Sequence, residues 1–272
     1  MFEFLLPPFV ACLILTGIHA YLGIHVVERK VIFVDLALAQ IAALGTAFGV
    51  LLGFEYGDTQ SYLSGLGFAV IGALILAFTR MRDERVPHEA IIGIVYAVSA
   101  AAFILLMDRA PEGAEQIRGM LIGSILFVDW HKVILTALLY GLIGIFHYIF
   151  RHKFITISVN PKEAYRQGLA VRLWDFLFYV SFGFVVTSSV LIAGVLLVFS
   201  YLVVPSVCAV LFSDNFKTRL FIGWALGFVA SLLGILASVA FDLPTGAAIV
   251  CTFGLILILS GVVRQIFRER FS

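Results

Sequence analysis

Charge is scarce in this sequence. Only 13% of its 272 residues are Asp, Glu, Lys or Arg and 62% are hydrophobic, whereas a soluble globular domain is about a quarter charged and about half apolar. With a mean hydropathy of +1.08 there is more apolar surface than a soluble fold can bury, which excludes soluble enzymes. Cysteine is scarce as well: Cys12, Cys208 and Cys251 stand in separate apolar stretches. An odd number with no CxxC pair encodes neither a disulfide framework nor a thiolate metal site, so all three read as apolar filler. The net charge of +1 carries no nucleic-acid footprint. Met1-Phe2-Glu3 brings no Lys or Arg ahead of the first apolar run, so the basic start of a signal peptide is missing and the first helix is expected to be retained. Catalytic motifs are missing too: no HExxH, no GxSxG, no P-loop and no paired carboxylates on one predicted helix face. Without a Walker segment, any ATP-driven process must take its motor from another chain.

What the sequence has is apolar length. A spanning helix takes roughly 20 mainly apolar residues, and such runs fall at 4–27, 31–54, 61–79, 90–107, 130–150, 173–190, 192–212, 219–240 and 244–263. They predict an all-α, polytopic transmembrane bundle of about nine spans in a single domain, 1–272. Eight remain possible, because 173–212 is one run with only Asp175 charged and a weak break near Thr187-Ser188-Ser189. The basic residues decide between the two counts. Fifteen of the 18 lie in 28–30, 80–89, 151–172, 213–219 and 264–270, and all five segments are cytoplasmic when the N-terminus is outside and 173–212 crosses twice, as the positive-inside rule requires. The C-terminus is then cytoplasmic. The opposite loops hold only Arg109, Arg118 and Lys132, beside Glu55, Asp58, Asp108, Glu112, Glu115 and Asp129.

Small residues recur every four positions at Gly45, Gly49 and Gly53, at Gly65, Ala69, Ala73 and Ala77, and at Gly93, Ala97 and Ala101, a spacing that lets helix backbones approach closely. Residues 116–128 are too short to span and too apolar for a free loop, which predicts an outer-side or re-entrant helix. Asp242-Leu243-Pro244 reads as an N-cap with proline in the first turn of the last helix.

The most informative polar segment is 151–172, a predicted cytoplasmic loop. Within it Asn160 suits an N-cap, Pro161 the first helical position, Glu163 the third position of a capping box and Gly168 the left-handed residue past the end. The local sequence fits two readings. One is a well-capped surface turn. The other is a coupling helix, Asn160-Pro161-Lys162-Glu163-Ala164 to Gly168, whose docking face around Ala164 tolerates little extra volume. A helix of two turns is marginal alone, so its strong end signals imply that it is held against something.

Along its length the chain resembles the permease subunits of bacterial ATP-binding-cassette (ABC) importers for zinc, manganese and related metals, the third ABC permease family. The resemblance rests on the order and spacing of several segments. These are Glu28-Arg29-Lys30 before Phe33 to Gly45, Ala90-Ile91-Ile92-Gly93-Ile94, Leu121 to Leu126, Asn160 to Gly168, Ala193 to Val198 with Val204-Pro205, and Asp242 to Gly246. It implies a bacterial cytoplasmic membrane and a second permease copy. It also implies a cytoplasmic dimer of ABC ATPases docked on the Asn160 to Gly168 helix and an extracytoplasmic solute-binding protein delivering the ion. No cofactor is expected on this chain, with ATP used by the partner subunits. Many relatives carry Asp-x-x-x-His at the start of the second helix, a pair able to hold a divalent cation. Asp35 stands at the first position here, and with Gly45 anchoring the comparison the histidine falls at Gln40, an amide that is a poor zinc ligand but an acceptable pore group.

Other polar residues in the spans have simpler readings. Asp35, Asp175, His25 and His147 lie near predicted cytoplasmic ends, where snorkelling or local pairing accounts for them. His19 is deeper. It sits six positions from His25, which turns the two rings about 120° apart on a helix and argues against joint ligation; it is a pathway candidate or a packing histidine. The leading expectation is a non-enzymatic permease subunit translocating a divalent metal ion, with Asp35, Gln40 and His19 along the route. The alternatives are a permease for another cargo, such as a metal chelate, and an intramembrane enzyme.

Overall fold

Lipid offers no hydrogen-bond partner to a peptide group, so runs this apolar must satisfy their backbones internally, as helices. In the computed structural model, which describes residues 2–55, 58–80, 86–108, 119–121 and 123–271, the described residues contain no strand. The helices are α1 (Phe2–Glu28), α2 (Val34–Leu51), α3 (Thr59–Thr79), α4 (His88–Met107), α5 (Trp130–Ile149), α6 (Arg151–Val159), α7 (Pro161–Arg166), α8 (Val171–Ala193), α9 (Val195–Phe212), α10 (Phe216–Phe241) and α11 (Thr245–Phe271). Among the described residues nine of these, all except α6 and α7, are long and apolar enough to cross a membrane, in agreement with the predicted spans.

The split of 173–212 is real but falls elsewhere than expected. Thr187-Ser188-Ser189 sits inside α8, where Ser188 Oγ donates to the Phe184 carbonyl at 2.8 Å and Ser189 Oγ to that of Val185 at 2.6 Å. Such back-bonding lets hydroxyls continue a helix that their composition seems to interrupt. The chain breaks instead at Gly194, whose φ of 77° is one that side chains other than glycine's avoid.

The contacts fall into two compact units, Met1–Val27 with Ile122–Gly141 and Ile192–Ser272, and Glu28–Leu121 with Leu142–Leu191. In the first, Tyr201 is fully buried, its ring edge-on to Phe253 at 5.0 Å. Gly23 of α1 lies against the Leu202 carbonyl of α9, and Gly227 of α10 against Thr16, contacts that a β-carbon would obstruct. Of the expected helix at 116–128, residues 116–118 and 122 lie outside the described residues. Residues 119–121 are helical and Ile125–Phe127 form a 3-10 turn. Gly123, at φ 68°, presses on the Ala193–Gly194 backbone, and the Ser124 N–H donates to the Ile192 carbonyl at 3.2 Å.

In the second unit, α2 and α3 pack through the predicted small residues. Gly45 abuts Phe68, Gly65 abuts Thr46, and Ser64 Oγ donates to the Gly45 carbonyl at 2.7 Å. Two of the predicted stripes need correction. Gly53 lies beyond the end of α2 in a turn with φ 95°, and on α4 Ala97 and Ala101 are exposed, the buried face being Ile92, Ser99, Phe103 and Met107.

Candidate functional site

The predicted coupling segment forms a helix ended as its sequence requires. Asn160 Oδ1 accepts from the Glu163 N–H at 3.1 Å, Pro161 opens α7, and Gly168 takes the left-handed conformation at φ 71°. The reciprocal half of the capping box is not made. The Asn160 N–H already donates to the Thr156 carbonyl at the end of α6, at 2.9 Å, so Glu163 turns outward, accepting from Gln167 Nε2 at 2.8 Å and pairing with Arg166 at 2.6 Å. Ala164 is fully buried, packed with Ile157 and Val171 among Tyr165, Leu169 and Trp174. Ala164 lies on the side of α7 that its own chain covers, and the exposed side carries Lys162, Arg166 and Gln167.

One residue beyond Trp174, Asp175 is buried with a guanidinium on each oxygen. Arg29 Nη1 donates to Oδ1 and Arg80 Nη1 to Oδ2, both at 2.7 Å. Arg29 follows α1 directly, and its side chain is 1% exposed. Its Nε donates to Ser158 Oγ at 2.8 Å, and its guanidinium carbon stands 4.0 Å above the Phe178 ring. At Arg80, just past α3, burial opposes the charge most strongly of any one influence, but the Asp175 carboxylate, Tyr179 and Tyr165 together hold the guanidinium above its ordinary value. The expectation of local pairing at Asp175 is met across residues 146 and 95 positions apart, partners that no sequence spacing signals.

Asp35 lies in the first turn of α2, 2% exposed, with Oδ1 buried and without a hydrogen-bond partner; Gln40 is 7% exposed. Glu89, in the first turn of α4, accepts from the Phe33 N–H at 3.0 Å while its Oε2 is likewise buried and unpartnered. Two carboxylates thus bracket the start of α2. The sequence search missed Glu89 because it looked for pairs along one helix, and this pair comes from two. Beside it, His88 Nε2 donates to the Leu76 carbonyl at 3.1 Å. Farther along α2, a cavity of about 30 Å³ is lined by Ala39, Ala42, Thr46, Phe103, Met120 and Thr187, with Thr187 Oγ1 buried and unpartnered. Among the described residues no three His, Cys, Asp or Glu side chains converge as a metal cage.

His19 belongs to the other unit. It is fully buried, its Nδ1 2.8 Å from the Leu15 carbonyl one turn back and its ring edge-on to Tyr140 at 6.3 Å. Asp242 departs from its expected N-cap role. It ends α10 as a left-handed C-cap with φ 52°, and the start of α11 is secured by a 2.7 Å bond between the Thr245 and Ser238 hydroxyls.

Comparison with known proteins supplies what this geometry leaves open. The profile of the ABC 3 transport family matches residues 1–264. The manganese transport system membrane protein MntC of Listeria innocua is 23% identical over 247 residues, covering 89% of this chain and 84% of its own. The manganese import system permease protein ScaB of Streptococcus gordonii is 23% identical over 263 residues, covering 95% and 91%. Among solved structures, PsaBC from Streptococcus pneumoniae in complex with Fab shares the fold at a TM-score of 0.78 and 21% identity, over 94% of this chain and 90% of that one.

Proposed function

Because the chain belongs to the ABC 3 transport family, we propose that it is the membrane-spanning subunit of an ATP-driven importer for a divalent transition-metal ion, with manganese favoured by the names of its relatives. The observation that carries this reading is the family match across nearly the whole chain, which includes α7 and the start of α2. In this reading two copies of the chain form the pathway in a bacterial cytoplasmic membrane. A cytoplasmic ATPase dimer docks on the exposed side of α7, through Lys162, Arg166 and Gln167, and an extracytoplasmic solute-binding protein delivers the ion. The N-terminus lies outside, as the 15 clustered basic residues favour. ATP binding closes the motors, α7 follows, and the bundle alternates between outward and inward openings.

Asp35 and Gln40 contribute to the ion's route without forming a tight site. A carboxylate and an amide fall short of the three or four ligands that hold zinc strongly, and five residues on an ideal helix set them about 140° apart. Conduction is served by weak, successive contacts, since an ion held tightly does not leave. His19 remains a route candidate on its depth alone.

Reconstitution with the cognate ATPase tests the reading. Vesicles are expected to accumulate Mn²⁺ or Zn²⁺ in an ATP-dependent manner, and Asp35→Asn to slow uptake while assembly is preserved. The pair Lys162→Glu and Arg166→Glu is expected to lower ATPase association by roughly tenfold or more, the scale on which reversed interfacial charges act. Uptake of a chelate in place of the free ion would reassign the cargo, and full ATPase association in the charge-reversed variant would remove α7 from the docking site. A cysteine at Asp58 that labels from outside, with one at Lys217 that does not, fixes the orientation.

A further inference from the structure

We propose that Asp175 is the positioning residue that converts a displacement of α7 into movement of the α1–α2 turn and the end of α3. The inference rests on the reading of α7 as the surface that receives the ATPase. Its basis is a continuous path of packed and hydrogen-bonded contacts in one compact unit. Ala164 of α7 packs in the cluster of Ile157 and Val171 flanked by Trp174, and Asp175 is the next residue. From Asp175 one oxygen reaches Arg29 and the other Arg80, each at 2.7 Å. Arg29 also returns to α6, donating to Ser158 beside Ile157. Four backbone segments, at residues 29, 80, 158 and 175, thereby share one hydrogen-bonded node.

The choice of side chains supports a mechanical role. Apolar residues of similar volume hold helix ends at least as stably as a buried ion pair, so stability alone does not call for two arginines and an aspartate here. What the charges add is direction. Charge-assisted bonds from planar guanidinium groups are short and fix orientation as well as distance, and stacking on Phe178 at 4.0 Å holds the plane of Arg29. An apolar contact lets its partners slide, whereas these bonds make the segments shift together.

Arg80→Gln is the informative variant, because Arg80 is the more exposed partner at 19% and its loss leaves Arg29 and Asp175 balanced. In vesicles reconstituted with the ATPase, it is expected to keep ATPase association and ATP turnover and to move roughly fivefold less Mn²⁺ per ATP hydrolysed, within the range over which single residues alter coupling between sites. Arg80→Lys, which keeps the charge but not the fork, is expected to recover part of that loss. Unchanged Mn²⁺ per ATP in Arg80→Gln would overturn the proposal. So would loss of ATPase association in that variant, which would assign the node to folding of the α7 platform. Failure of the underlying reading shows separately, as undiminished association of the Lys162→Glu, Arg166→Glu variant.

Discussion

In the unit built from Met1–Val27, Ile122–Gly141 and Ile192–Ser272, several buried hydroxyls are satisfied by neutral partners. Tyr201 Oη and Ser231 Oγ lie 2.6 Å apart, Ser238 and Thr245 share a bond of 2.7 Å, and Ser206 Oγ donates to the Ala20 carbonyl at 3.4 Å. The buried charge of Arg219, at the start of α10, is held at the surface end, pairing with Asp214, which is fully exposed. In the unit built from Glu28–Leu121 and Leu142–Leu191, a buried ion-pair node is found as well, with Asp175 between Arg29 and Arg80, while Asp35 and Glu89 each keep an unpartnered oxygen. The difference is one of tolerance. A hydroxyl pair that loses one member forfeits about 1 kcal/mol, whereas a buried charge that loses its partner costs several times more. The Asp175 node is therefore costlier to break than any of these hydroxyl pairs.

The largest test of this contrast is Asp175→Ala. Removing the carboxylate leaves Arg29 buried and uncompensated, and the expected loss is about 3–5 kcal/mol, visible as a drop in the thermal unfolding temperature of the detergent-solubilised protein. A loss under 1 kcal/mol would place this node with the hydroxyl pairs. Next is Ala164→Leu, which adds methylenes where none fit and should cost about 1–3 kcal/mol, read as reduced folded yield before any ATPase is present. Full stability with weakened ATPase binding would restore Ala164 to a docking face. The smallest expected effect is that of Tyr201→Phe, about 1 kcal/mol, because Ser231 Oγ still donates to the Gly227 carbonyl at 2.6 Å. A loss as large as that of Asp175→Ala would erase the distinction between the hydroxyl pair and the charged node.

How much of this was legible beforehand depends on the distance over which each feature is encoded. The nine spans are legible because the requirement for roughly 20 apolar residues is local. The α7 helix is legible for the same reason, since Asn160, Pro161 and Gly168 act within one turn. Its orientation was not, because nothing in a six-residue helix says that Ala164 rather than Lys162 meets the bundle until Ile157, Val171 and Trp174 close around it. The break at Gly194 was obscured by hydroxyls that look like a break and are bonded into the helix. The α4 stripe at Gly93, Ala97 and Ala101 carries the same small-residue spacing as Gly65 to Ala77, and only packing separates the exposed stripe from the buried one. The Asp175 node and the Asp35–Glu89 juxtaposition lay beyond local reading, because their members come from segments far apart in the sequence. The scarcity of charge was nonetheless a signal, since in so apolar a chain each ionisable group in a span calls for a partner.

Asn160 serves two helices at once. Its backbone N–H closes the last turn of α6 on Thr156, and its side chain opens the first turn of α7 on Glu163, so it is the single residue between them. A joint of this kind has no slack. Turning α7 by a few degrees must carry α6 with it, as one arm of a crank carries the other, or else break the capping bond. Asn160→Ala would therefore put play in the crank, adding to the roughly 1 kcal/mol that losing a cap costs a lag between the motion of one arm and the answer of the other.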